Sequence, residues 1–197
     1  MMMARDQRRQ GRGGRRREKR EFDQKTIDLA RVARVVAGGR RFRFRATVVI
    51  GNRKGKVGIG ISKGKDVRNA IDKAVTRAKR NMIEIPLTGG TVPHQMRVKY
   101  SGADVLIKPA RPGTGIIAGG AVRPVMELAG VKDIVSKMLG SSNHTNSAQA
   151  TLKALSLMET PEQLSLRRGV EVKGTFQRHA TKAAAPAQEE KTEEAQA

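Results

Sequence analysis

Cysteine and tryptophan are missing from this 197-residue chain, and aromatics of any kind are scarce, with four Phe and one Tyr. Without cysteine there is no disulfide, no thiolate nucleophile and no cysteine-ligated zinc. That fits a reducing compartment, with the cytoplasm as the default. No apolar run approaches the roughly 20 residues that span a bilayer, and residues 1–5 lead into basic residues rather than an apolar leader, so no membrane partner is expected. Three histidines, His94, His144 and His179, lack metal-ligand spacing, and carboxylates such as Asp104, Glu127 and Asp133 are scattered. No catalytic constellation, metal site or cofactor is expected from them. Acids are also few: 18 Asp and Glu stand against 40 Lys and Arg, a net charge of +22. Such an excess favours a polyanionic partner, because each neutralised phosphate releases condensed counterions.

The charge is unevenly spread. Residues 1–20 carry 9 cations and 2 anions, residues 21–90 carry 17 and 6, residues 91–177 carry 11 and 6, and residues 178–197 carry 3 and 4. The polyanion-facing half is therefore the first. Its opening segment, 1–21, is Arg-, Gln- and Gly-rich with little to bury, and reads as a disordered arm that orders on RNA.

Alternation identifies the main surface. From Arg41 to Ile50, Arg41, Arg43 and Arg45 fall on one face of a strand and Phe42, Phe44, Ala46, Val48 and Ile50 on the other. A strand is expected at about 29–36 before it, with a turn at Ala37-Gly38-Gly39. A Gly-, Asn- and Lys-rich turn containing Arg53 and Lys54 leads to a third strand at about 56–61. The arginine row is read as a phosphate-contacting face and the two phenylalanines as core. Gly58 and Gly60 imply close approach of another backbone, either RNA or a helix.

A helix follows at about 66–82, with Val67, Ala70, Ile71, Ala74, Val75, Ala78 and Met82 on its apolar face and Asp66 as its N-cap. Residues 83–91 read as the exit from a first domain. The second half begins with extended segments near 94–100 and 103–108, a loop at 109–115, and a short helix at about 121–129 stopped by Gly130. Val131, Ile134, Val135, Met138 and Leu139 suggest another helical stretch. A further apolar helix begins near 146, and Thr160-Pro161-Glu162-Gln163 fits a capping box. The chain beyond about Gly174 reads as disordered. The Gly113–Gly120 stretch could cradle a phosphate, but it lacks the Lys and Ser/Thr of a Walker motif and reads as structural.

Taken in order, Gly39-Arg40, Phe42, Gly51-Asn52, Gly55, Val57-Gly58 and Gly60, then Ala78-Lys79-Arg80-Asn81-Met82, then Gly113-Thr114-Gly115-Ile116-Ile117-Ala118-Gly119-Gly120 carry a resemblance. The chain resembles, from about Leu29 to Arg168, the family of the fifth protein of the bacterial small ribosomal subunit. The resemblance implies an α+β fold. Its N-terminal domain would be like a double-stranded-RNA-binding fold (here 22–90), and its C-terminal α+β domain (91–174) would carry a left-handed βαβ crossover. Flanking these are the basic arm and a tail at 175–197.

Family members bind small-subunit rRNA where head meets body, dock beside the fourth and eighth proteins, influence decoding accuracy and help line the messenger path. Carried onto this chain, the turn 36–41 would be the loop at the head–body hinge, close to the spectinomycin site. Gly38, Gly39, Arg40, Arg41, Arg43, Arg45, Arg53, Lys54, Lys56, Lys63 and Lys65 would face rRNA. Gly113, Thr114, Gly115 and Arg123 would face the fourth protein. Two departures stand out. Ala37 replaces the usual Lys, implying one fewer phosphate contact. His144 follows Asn143 where Pro is usual, with Ser147 and Ala148 in place of common hydrophobics. The reading is thus a non-enzymatic rRNA-binding protein of the small subunit. A free-standing double-stranded-RNA-binding regulator and a nucleotide-dependent enzyme are the alternatives.

Overall fold

A computed structural model describes residues 21–169; the expected basic arm and acidic tail lie outside the described residues. Within it, two four-stranded sheets are each covered by helices. The first has the order β1-β2-β3-β4, built from β1 (Asp23–Val36), β2 (Gly39–Gly51), β3 (Lys56–Gly64) and β4 (Met82–Glu84), all antiparallel. Helix α1 (Val67–Arg80) lies on one face. The second has the order β5-β6-β8-β7, built from β5 (Met96–Tyr100), β6 (Ala103–Pro109), β7 (Ile116–Ile117) and β8 (Ile134–Met138). β7 runs parallel to β8, and α2 (Val122–Ala129) makes the crossover between them, so a βαβ unit sits in an α+β domain as expected. Helices α3 (His144–Ser156) and α4 (Pro161–Arg168) complete the chain.

The α1 contact is built from small residues. Ala70, Ala74 and Ala78 recur every four residues, are fully buried, and face Gly64, Gly60 and Gly58 of β3. A Cβ on Gly60 would fall 1.9 Å from the Ala74 carbonyl oxygen, and one on Gly58 2.4 Å from that of Ala78. The backbone that these glycines admit is therefore the helix. Asp66 occupies the N-cap position with extended backbone, but its side chain accepts no capping hydrogen bond.

Beyond Arg45 the strand β2 departs from the expected arginine face. Thr47 and Val49 are fully buried, because α2 and α3 of the second half cover that side while α1 covers Ala46, Val48 and Ile50. One core cluster runs through Val49, Val57 and Ile59 into Val105, Ile107, Val122, Val125, Met126 and Leu155. β2 is thus central to both halves. A strand covered on both faces loses its apolar–polar alternation.

Three stretches differ from the sequence reading. Within 131–139, where a helical stretch is expected, residues Ile134–Met138 form strand β8 instead. Their apolar spacing matches a helical stripe, but β-branched Ile134 and Val135 pair with β6 and β7, and strand alternation turns Ile134 and Ser136 inward. Part of the expected exit segment is β4, which pairs with Lys56–Gly58. Helix α3 starts earlier than expected, at His144, capped by the Asn143 side chain, which accepts from the Thr145 N–H at 3.1 Å. Ser147 and Ala148 are buried in that helix, so the small residues there fit its packing on β5 and β6. The Thr160 capping box and the Gly130 helix stop, at φ 90°, are present as read.

Candidate nucleic-acid interface

The sheet has an overhang. β3 pairs with β2 only as far as Phe44 opposite Gly64, whereas β1 and β2 continue pairing to Val36 opposite Gly39. Five residue pairs, Val32–Arg43 to Val36–Gly39, therefore form a two-stranded ribbon about 17 Å long at 3.4 Å per residue. Among the described residues no helix covers it, since α1 begins at Val67 and first meets the sheet at Gly64. From Leu29 to Arg45 there are six arginines and no acid. Arg34 stands opposite Arg41, and Arg31 opposite Phe44. Gly38, Gly39, Arg40, Arg41 and Arg43 are all exposed.

Phe42 departs from its expected core role. It is 47 % exposed, and the Arg31 guanidinium lies over its ring, 3.7 Å from the centroid. Phe44, two pairs closer to the sheet body, packs partly against the α1 cluster. The core ends between them because the helix does. An exposed cation–π pair of this kind is worth about 0.5–1 kcal/mol and keeps the guanidinium beside an aromatic face.

The other predicted RNA-facing residues divide. Lys63 lies opposite Arg45, and with Lys65 it is exposed at the root of the ribbon. Arg45 is half-buried and donates to Asp28 at 3.2 Å. Lys56 pairs with Glu84 at 2.5 Å, and Arg53 with Asp23 at 2.9 Å. The 52–55 turn has a structural occupation that the sequence did not reveal. Asn52 Oδ1 accepts from the Lys54 and Lys56 amides, Arg53 sits at φ 56°, and the turn docks on the end of α2. The Arg53 N–H donates to the Leu128 carbonyl at 2.9 Å, and the Gly55 N–H to that of Ala129 at 2.8 Å. A Cβ on Gly130 would lie 2.2 Å from the Arg53 carbonyl oxygen. Of this turn's cations, Lys54 alone has no carboxylate partner among the described residues.

The predicted protein-contact residues fall at two places around the crossover: Gly113, Thr114 and Gly115 in the loop before β7, and Arg123 in the first turn of α2. Gly113 (φ 89°) and Thr114 are exposed, with the Thr114 hydroxyl donating to the Arg111 carbonyl at 2.7 Å. The Gly115 N–H donates to Asp133 Oδ1 at 2.8 Å, so this amide of the glycine-rich loop already has an anionic acceptor. That removes one of the free donors a phosphate cradle would use. Arg123, in the first turn of α2, donates to Glu127 at 2.8 Å. Glu127 also accepts from Lys25 of β1 at 2.9 Å. The hydrogen bond from Arg123, then that from Lys25, holds the Glu127 carboxyl below its ordinary value. This three-residue bridge joins the two halves. Sequence reading missed it, because Lys25 and Glu127 are 102 residues apart.

Among the described residues no group of His, Asp and Glu is arranged to hold a metal, and no helix is long and apolar enough to cross a membrane. One groove, about 310 Å³ and open to solvent, is lined by Ser62, Asp72, Lys73, Thr76, Arg77 and Arg80. Arg77 there donates to the Ile61 carbonyl at 2.8 Å and covers the edge of β3 that β4 leaves unpaired.

Comparison with known proteins agrees with this architecture. The family described as "Ribosomal protein S5, N-terminal domain" matches residues 22–86, and "Ribosomal protein S5, C-terminal domain" matches residues 98–168. The chain is similar to the small ribosomal subunit protein uS5 of Campylobacter jejuni (strain 81-176), at 52% identity over 139 residues, covering 71% of this chain and 95% of that protein. It is similar to the uS5 protein of Thermotoga maritima at 45% identity over 156 residues, covering 79% of this chain and 88% of that one. With both halves of the fold and both halves of the family matched, the chain belongs to the ribosomal protein S5 family, and it is a structural ribosomal protein rather than an enzyme.

Proposed function

We propose that this chain is a cytoplasmic component of the small ribosomal subunit whose β1–β2 ribbon inserts into rRNA at the joint of head and body. The observation that carries the reading is the ribbon itself. It is an uncovered two-stranded overhang bearing Arg34, Arg40, Arg41 and Arg43, with Arg31 at its root and no acid among them. An isolated hairpin is marginal in water, and four arginines on one repel each other. Counterion release on meeting phosphates turns that liability into affinity. Lys63 and Lys65 extend the contact at the root, while Lys54 reaches out beside the domain joint. Recognition is of backbone and shape, since duplex RNA hides its base edges in a deep major groove.

The exposed Gly113–Thr114 loop and Arg123 are assigned to the neighbouring fourth protein, and the messenger path and the eighth protein lie nearby. Glu127 ties Arg123 to Lys25 near the start of β1, the strand that continues, about 24 Å further at 3.4 Å per residue, into the RNA ribbon, so a change at the protein contact has a continuous physical route to it. In this way the chain contributes to decoding accuracy.

Replacing Arg41 and Arg43 by Ala should lower the slope of log affinity against log salt by roughly 0.7–0.9 for each phosphate no longer neutralised. Arg123→Ala should leave that slope unchanged and alter misreading in reconstituted ribosomes. An unchanged slope for the double variant removes the ribbon from the interface. A fall in RNA affinity from Arg123→Ala without any effect on misreading removes the assignment of roles.

A further inference from the structure

The second sheet has a face that nothing in the described chain covers. Its inner residues, Ala103, Val105, Ile107, Ile134 and Ser136, meet the core. Alternation therefore turns Arg97 and Lys99 of β5, Leu106 and Lys108 of β6, and Val135 and Lys137 of β8 the other way. The register sets Arg97, Leu106 and Lys137 in one row across the sheet and Lys108, Val135 and Ile117 in the next. Asp104 is the acid of this face, and Arg97 neutralises it through both carboxylate oxygens, at 3.1 Å and 2.6 Å. Lys99, Lys108 and Lys137 are exposed and enter no ion pair among the described residues.

We propose that this face is a second contact for an RNA sugar–phosphate backbone, with Lys99, Lys108 and Lys137 as the phosphate donors; it rests on the small-subunit reading above. Charge selects the occupant. Three lysines outnumber one carboxylate that Arg97 already compensates, with Lys99 opposite it in the register, and the cores of protein–protein interfaces are depleted in lysine. The apolar column between them, Leu106 and Val135, is only half-buried, and the lysine stems can lie along it with their ammonium groups outward. A flat cationic surface whose one acid is already paired matches a strand of phosphates. The ribbon and this sheet would then hold RNA from two places on one body.

The test uses the full chain with small-subunit rRNA, comparing Lys99→Ala/Lys108→Ala/Lys137→Ala, the ribbon variant Arg41→Ala/Arg43→Ala, and Lys132→Ala/Lys153→Ala as a charge control. The triple variant should fold normally by circular dichroism and lower the salt slope by about 2, at roughly 0.7–0.9 per phosphate contact, with the control near wild type. Acetylation of the three lysines should slow when naked rRNA is bound. If the ribbon variant lowers the slope while the triple variant does not, the inference fails and the proposed function stands. An equal reduction in the control reduces the effect to net charge and also overturns it. Lysines that naked rRNA leaves reactive, but that the assembled subunit protects, would assign the face to a protein partner instead. If neither variant shifts the slope, the functional reading fails as well.

Discussion

Single residues decide how closely the parts of this molecule approach. Gly60 is the clearest case, because a Cβ there would collide with the backbone of α1 at Ala74 rather than with a movable side chain. Gly60→Ala should therefore force the helix away from β3. It should destabilise the protein by roughly 1–3 kcal/mol, read as a lower midpoint in chemical denaturation. The pair Gly58 and Gly60 was legible in the sequence as a place of close approach. What approached was not, since glycine permits a helix and an RNA backbone equally.

Glu127 makes a different residue-scale argument. Its folded-state pKa is depressed by Arg123 and Lys25, from an ordinary value of 4.5. Its contribution to stability is therefore full above that value and is lost as pH falls through the lower folded value. Glu84, held down by Lys56, and Asp104, held down by Arg97, act with the same sign. Denaturation midpoints of wild type and Glu127→Gln should separate at neutral pH and converge in acid. Curves that stay parallel across that range would show that the Lys25–Glu127–Arg123 bridge does not link the halves energetically.

At the scale of elements, the ribbon and the body of β2 are one strand with two environments. The alternation of Arg41 to Phe44 was visible in the sequence, and so was the positive face. The point where core gives way to ribbon was not, because it depends on where α1 begins and where β3 stops pairing. Phe42 lies beyond that point, so Phe42→Ala should cost under about 1 kcal/mol in stability, the scale of its interaction with Arg31. Phe44→Ala, which removes packing from the α1 cluster, should cost more, and the two midpoints compared in one denaturant series decide it. Strand β8 was misread for a related reason: apolar residues spaced as a helical stripe also suit a short strand once Ser136 is allowed to turn inward. Only pairing with β6 and β7 chooses between them. Capping chemistry was more reliable where it is purely local, as at Thr160 and Gly130. It failed at Asp66, whose position fits but whose side chain makes no cap.

For the whole molecule, the two sheets share one core through β2, and the 52–55 turn and Glu127 fasten the first half to α2. Family membership was legible from the order and spacing of short motifs. The fastening was not, because it runs through the Arg53 and Gly55 amides onto the Leu128 and Ala129 carbonyls and through Lys25 to Glu127, partners 74 or more residues away in the chain. The resulting picture is a two-sheet body with one shared core that presents a long arginine ribbon to rRNA. Amide hydrogen exchange on the full chain, free and bound to small-subunit rRNA, tests this most directly. The account predicts that residues 32–43 exchange rapidly in the free protein and become strongly protected on binding, while the amides of β3 and α1 change little. Slow exchange of the free ribbon, or rRNA protection that falls on the outer face of α1 and leaves residues 32–43 unchanged, would contradict it.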